Sequence, residues 1–182
     1  MKKNTEIERK FLVRECDLPN VERRIYSEIV QGYVQSFGSS YHYRLRQALH
    51  FTPTNGFVGE QYFQTIKSTE TKVRGEYEVE LFKNQFMPLW PLCKNISVTK
   101  KRYKLNDVYP MVEGEGIEDV ALDIYKADLK GLHVIEVEFD TEKNCDAFQP
   151  PSWFGVELTE DVRYNNFYLA LDGLPDNFKD IK

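Results

Sequence analysis

The chain has 182 residues, a length at which a single hydrophobic core suffices, so one domain spanning residues 1–182 is expected. Its formal charge of −5 excludes a generally basic nucleic-acid binder while leaving room for a local basic cleft, and 41% hydrophobic with 14% aromatic residues excludes a disordered chain. Cys16, Cys93 and Cys145 stand too far apart to signal a disulfide framework or a zinc site, and no apolar run approaches the ~18 residues of a membrane span, so a reducing, cytoplasmic setting is expected.

From the first residues onward the dominant pattern is alternation, the period of a strand whose side chains point to opposite faces. Glu6, Glu8 and Lys10 share one face while Ile7, Phe11 and Val13 share the other. Asp17-Leu18-Pro19 predicts a bend, and alternation resumes at about Ser27–Ser36 and Tyr41–Phe51, separated by Gly38-Ser39-Ser40, a hairpin signal. Pro53-Thr54-Asn55-Gly56 supplies a longer tip before Phe57–Lys67, and strands are predicted again at Val73–Phe82, Ile96–Leu105, Val120–Tyr125 and Leu132–Phe139. Short connections favour antiparallel pairing. Helices are expected at Asn84–Asn95, interrupted by Pro88 and Pro91, at Thr141–Phe148 and at Tyr164–Leu171.

Charge is bunched on one face of six of these strands: Glu6, Glu8 and Lys10; Arg44 and Arg46; Thr65 and Lys67; Arg74, Glu76, Glu78 and Glu80; Lys100 and Arg102; Glu136 and Glu138. For any single strand, a solvated outer face explains this. Like charges on neighbouring positions repel, however, and bunching is tolerable where an ion of opposite sign sits between them: an anion between the basic residues, a cation between the carboxylates. Eight strands can close so that these faces surround one axis. The fold expected is α+β and mainly β, an eight-stranded antiparallel closed barrel with a charged interior, short helices packed outside and a C-terminal helix.

Glu6-Ile7-Glu8-Arg9-Lys10 matches the ExExK signature of the CYTH superfamily, the triphosphate tunnel metalloenzymes. Further motifs follow in order: Gln31-Gly32-Tyr33 resembles QGY, Arg44-Leu45-Arg46 the RxR strand, Thr65-Ile66-Lys67 the TxK strand and Arg74-Gly75-Glu76-Tyr77-Glu78 the RxExE strand. Lys100-Lys101-Arg102-Tyr103, Asp123-Ile124-Tyr125 and Glu136-Val137-Glu138 resemble the later KxRY, acidic and ExE strands. Trp153, Gly155, Glu157, Thr159, Asp161, Arg163, Tyr164 and Asn166 resemble the family's tail. The resemblance runs from residue 6 to about residue 170 and is nearest to the small inorganic triphosphatases.

The resemblance implies metal-dependent hydrolysis of the terminal phosphoanhydride of inorganic triphosphate or a related small triphosphate. Glu6, Glu8, Asp123, Glu136 and Glu138 match the carboxylates for Mg²⁺ or Mn²⁺, both of which favour oxygen ligands. Lys10, Arg44, Arg46, Lys67, Arg74, Lys100, Arg102 and Arg163 match the phosphate-binding cations, with Glu76 and Glu78 supporting them. Tyr33 and Lys67 match a catalytic pair in which a neighbouring ammonium would lower the tyrosine pKa and make it a base. Ala121 stands where family members often carry another acid, and residues 49–61 lengthen one hairpin, read as a solvated tip. Alternatives within the superfamily are class IV adenylate cyclase and thiamine triphosphatase activity. A polyphosphate-binding module without catalysis is the alternative outside it. Neither a nucleic acid duplex nor a membrane is an expected partner, and the choice between monomer and homodimer stays open. Gly114-Glu115-Gly116 lacks the third glycine of a dinucleotide fingerprint, with Asp119 in its place, and His42, His50 and His133 lack metal-ligand spacing.

Overall fold

The computed structural model describes residues 4–34, 41–68, 73–106 and 116–181. Eight strands carry the fold: β1 (Asn4–Leu12), β2 (Tyr26–Val34), β3 (Tyr41–Thr52), β4 (Gly56–Ser68), β5 (Val73–Leu81), β6 (Ser97–Lys104), β7 (Ile117–Tyr125) and β8 (His133–Phe139). The helices are short: α1 (Lys83–Phe86), α2 (Glu142–Ala147), α3 (Asn166–Asp172) and α4 (Phe178–Ile181). Asn84–Asn95, expected as a helix interrupted by Pro88 and Pro91, is divided into α1 and a 3-10 turn at Trp90–Leu92. Thr141 caps α2 by accepting the Asn144 N–H at 3.3 Å. The expected Gly38-Ser39-Ser40 turn lies outside the described residues.

All pairing among these strands is antiparallel, in the order β1-β5-β4-β3-β2-β6-β7-β8, and β8 returns to β1 through Glu8↔Glu138 and Lys10↔Glu136. The wall is uneven. Among the described residues β1 meets β5 only over Asn4–Ile7, and at Lys10–Leu12 that edge is taken by the tail: Leu12 N–H donates to the Val156 carbonyl and Leu158 N–H to the Lys10 carbonyl, each at 2.8 Å. The expected closed barrel is therefore a curled, tunnel-shaped sheet with a short seam at β1. Residues 49–61, expected as a solvated tip, carry the β3–β4 ladder out to Thr52↔Gly56 with a bulge at Val58, and residues 53–58 at its end are exposed.

Side chains on the outer face are apolar where something covers them. Ile7, Phe11, Val120, Leu122, Ile135 and Val137 pack with Cys145 of α2 and with Phe154, while Leu45 and Tyr62 pack with Phe86 of α1 and with Cys93. A third cluster is different. Leu12, Val98, Tyr125 and Val134 continue the alternation of the charged, inward-facing positions, and they pack against Leu158, Tyr164, Leu169 and Phe178. The tail and its helices α3 and α4 thus fill one end of the tunnel rather than joining the outer layer, as the sequence pattern had suggested. No helix among the described residues is long and apolar enough to cross a membrane.

Candidate active site

The inward faces enclose a channel of about 780 Å³. Glu6, Glu8, Lys10, Tyr33, Arg44, Arg46, Lys67, Glu76, Glu78, Lys100, Arg102, Glu136 and Glu138 all line it, so one axis collects thirteen of the residues singled out from sequence. Alternation accounts for this: each set occupies every second position of its strand, and curling turns one face of every strand inward. Arg163 is not among them. It lies outside on the tail, its guanidinium bonded to Asp161 at 2.6 and 2.8 Å, because the tail passes along β1 without entering the channel there. The Arg74 side chain lies outside the described residues.

The carboxylates divide into two groups. Glu6, Glu8 and Glu138 each bring an oxygen within 4.8 Å of the others. Burial and then the negative charge of Glu6 push the Glu138 carboxyl up to about 7. Lys10 lies 3.1 Å from Glu8 and Lys67 2.8 Å from Glu6, and an all-oxygen set of three carboxylates this close together fits a hard divalent cation. Glu136 and Asp123, expected beside them, are bonded more extensively to basic groups. Lys10 Nζ donates to Glu136 at 3.0 Å, and Arg102 bridges Glu136 and Asp123, with bonds of 2.6 and 2.7 Å to the latter. Asp123 is wholly buried behind the channel surface, where Lys100 also bonds it.

The basic wall is held by ion pairs. Arg44 donates to Thr65 at 3.1 Å, Glu76 at 3.3 Å and Glu78 at 3.0 Å, and Arg46 donates to both oxygens of Glu78 at 3.0 and 3.1 Å. Lys67 Nζ reaches Glu6 at 2.8 and 2.9 Å and Glu76 at 3.1 Å. Burial pushes the Arg46 guanidinium down to about 10, with Arg44 adding repulsion, and pushes the Lys100 ammonium down to about 8 against the pull of Asp123. Crowded buried cations of this kind gain from an anion that offers many oxygens at once.

Tyr33 is buried, and its ring meets Phe167 edge-on at 5.5 Å. Its phenol is pushed up from the ordinary value by burial, which outweighs the opposing charges of Arg44 and Lys67. The lowering expected from a neighbouring ammonium is present but outweighed by burial, and Lys67 Nζ is engaged with Glu6 and Glu76. Gln31 Nε2 donates to Tyr33 Oη at 2.8 Å.

Among the lining residues not singled out from sequence for this site, Asp119, Gln31 and His42 bear on its chemistry. Asp119 opposes Glu138 across the β7–β8 ladder, and its Oδ1 is buried with no hydrogen-bond partner among the described residues. The two-residue steps Asp119, Ala121, Asp123 along β7 carry that signal, which the alanine between the two acids obscures. Gln31 precedes Tyr33 by two positions and so shares its face. His42 stacks on Phe167 with ring centroids 3.8 Å apart and is lowered below its ordinary pKa by burial.

No family model matches the chain. It is 41% identical over 169 residues to an inorganic triphosphatase of Nitrosomonas europaea, covering 92% of this chain and 97% of that one. It is 28% identical to an inorganic triphosphatase of Acetivibrio thermocellus, covering 96% and 98%. A crystal structure of an inorganic triphosphatase superposes with a TM-score of 0.60 at 36% identity, over 96% of this chain and 99% of that one. With the ordered strand motifs lining one channel, and this identity running nearly end to end, the chain belongs to the inorganic triphosphatase family of the CYTH superfamily.

Proposed function

We propose that the protein hydrolyses the terminal phosphoanhydride of inorganic triphosphate within the channel. The observation that carries this reading is the adjacency of two opposite charge sets on one axis: a carboxylate triad at Glu6, Glu8 and Glu138, and a basic wall of Lys10, Arg44, Arg46, Lys67, Lys100 and Arg102. A linear anion carrying a divalent cation satisfies both sets, whereas a simple cation or anion satisfies one.

In this reading the triad, with Asp119 at its side, holds Mg²⁺ or Mn²⁺, which when bound neutralises phosphate oxygens and lowers the pKa of water. The arginines fork across non-bridging oxygens, and Glu76, Glu78, Glu136 and Asp123 hold the basic side chains in place. The oxygen of water forms a bond to the terminal phosphorus as its proton passes to solvent, the anhydride P–O bond breaks, and diphosphate leaves with that bond's electron pair. Tyr33, kept a neutral phenol by burial, donates a hydrogen bond to a phosphate oxygen. Three free cysteines, two of them buried, suit a reducing cytoplasmic setting.

A panel of tripolyphosphate, diphosphate, ATP and thiamine triphosphate with Mg²⁺ or Mn²⁺, scored for phosphate and for cyclic AMP, tests the reading. Tripolyphosphate should give the highest kcat/KM, because a shorter chain leaves buried cations unmatched. Cyclic AMP formation would install a cyclase, and tight binding without phosphate release would install a binding module.

Tyr33→Phe separates the two roles of the phenol. As a donor to a phosphate it loses activity by about 10²-fold with little change in the pH profile. An acid limb of the wild-type profile that vanishes in Tyr33→Phe would restore the base assignment.

A further inference from the structure

Gln31 and Tyr33 are neighbours on the inward face of β2, two residues apart, and the residue between them fixes that face. A Cβ placed on Gly32 would lie 2.6 Å from the Cys93 carbonyl oxygen, so the backbone of β2 is pressed against the Cys93 segment and cannot be displaced outward. The Gln31 side chain is almost wholly buried, and an amide in that position needs a partner. It finds one in Tyr33 Oη, to which Nε2 donates at 2.8 Å. The Tyr33 ring is held against rotation by the edge contact with Phe167. A phenol has one proton to give, and an oxygen already receiving an N–H from one side directs its own O–H elsewhere. With Gln31 on β2 and the channel in front, that direction is the channel.

We infer that Gln31 is a positioning residue, resting on the reading of Tyr33 given above: its amide holds the phenol oxygen so that the Tyr33 proton points at a phosphate oxygen of the bound triphosphate. Gln31 touches no substrate in this arrangement, and its effect passes entirely through Tyr33.

A double-mutant cycle on the full chain tests this. Gln31→Met keeps length and buried volume but loses the donor, and it should lower kcat by about tenfold with KM for tripolyphosphate little changed. In the Tyr33→Phe background the same substitution should cost nothing further. Gln31→Glu adds the direction of the bond: a carboxylate can only accept, turns the phenol proton away from the channel, and should cost more than Gln31→Met. Equal losses from Gln31→Met in both backgrounds would reduce Gln31 to packing, and full activity in Gln31→Glu would reverse the donor and acceptor; either result overturns the inference. The ¹³C resonance of Tyr33 Cζ reads the contact without turnover and should move in Gln31→Met at neutral pH. If the wild type releases no phosphate, the functional reading fails by itself. A Cζ resonance unmoved by Gln31→Met overturns the inference in either case, as the hydrogen bond would then be absent in solution.

Discussion

Glu136 and Glu138 sit two residues apart on one face of β8, yet their neighbours give them opposite characters. Burial opposes ionisation of Glu136, but Arg102 and Lys10 outweigh it and hold the carboxyl well below its ordinary range. Glu138 has burial and Glu6 against it and titrates near 7. Its unfolded carboxyl titrates near 4.5, so between those pH values the folded chain binds more protons than the unfolded chain, and this group's contribution to stability falls as pH rises until it levels above 7. His42, lowered by burial, acts in the opposite sense, since its unfolded form takes up a proton below about 6.5. The difference between variant and wild type isolates the carboxylate: the Tm of Glu138→Gln minus that of the metal-free wild type should grow from pH 5 to pH 8, and divalent cation should abolish the gain. Glu136→Gln should do the reverse, losing about 3 kcal/mol because Lys10 and Arg102 are left with too little counter-charge in a buried wall. Denaturant unfolding of the two variants at pH 7.5 checks the opposite signs. The sequence presented both as equivalent ligands, since strand alternation reports which face a residue occupies and not which cation lies across the ladder.

At the level of elements, β2 shows why a small residue interrupts a strand otherwise rich in large side chains. Gly32 has its outward side against the Cys93 backbone, and Gly32→Ala brings a methyl group within 2.6 Å of a carbonyl oxygen that has no flexible end to yield. The variant should lose about 1–3 kcal/mol, measured by thermal unfolding. It should also lose turnover, because shifting β2 shifts Gln31 and Tyr33 together. The strands themselves were legible. The segments beginning at Glu6, Tyr41, Phe57, Val73 and Leu132 all fall on strands, since a charged inner face and an apolar outer face leave a clean period of two. The placement of the tail was not. Leu12, Val98 and Tyr125 continue inward positions with apolar side chains, a local change that acquires meaning only when Leu158 and Leu169, far along the chain, are seen to pack on them. Arg163 misled for the same reason, as a motif match states which residue is present and not on which side of the wall the tail runs.

At the scale of the whole molecule, the −5 chain surrounds a channel whose lining carboxylates outnumber its basic groups among the described residues, so a polyanion should bind together with a divalent cation that offsets Glu6, Glu8 and Glu138. Tripolyphosphate at 100 times its Kd adds about 2.7 kcal/mol to stability, which for a chain of this length raises Tm by roughly 5–10 °C. Differential scanning fluorimetry with tripolyphosphate, diphosphate and sulfate, at low and high salt, should rank them in that order, with the spread shrinking as salt rises. The β1 seam bears on how the protein is made. β2 through β5 pair with their sequence neighbours, but β1, which meets β5 only over Asn4–Ile7, waits for β8 and for Val156 and Leu158 before the rest of its edges are bonded. Contacts spanning that much of the chain form late and slowly. Until β8 is made, the Glu8–Leu12 half of β1 has no ladder partner among the described strands, and the channel acquires its acidic triad only once Glu138 is in place. Catalytic competence should therefore appear in a single late step of folding, and chains stalled before the tail should be the ones that depend on chaperones.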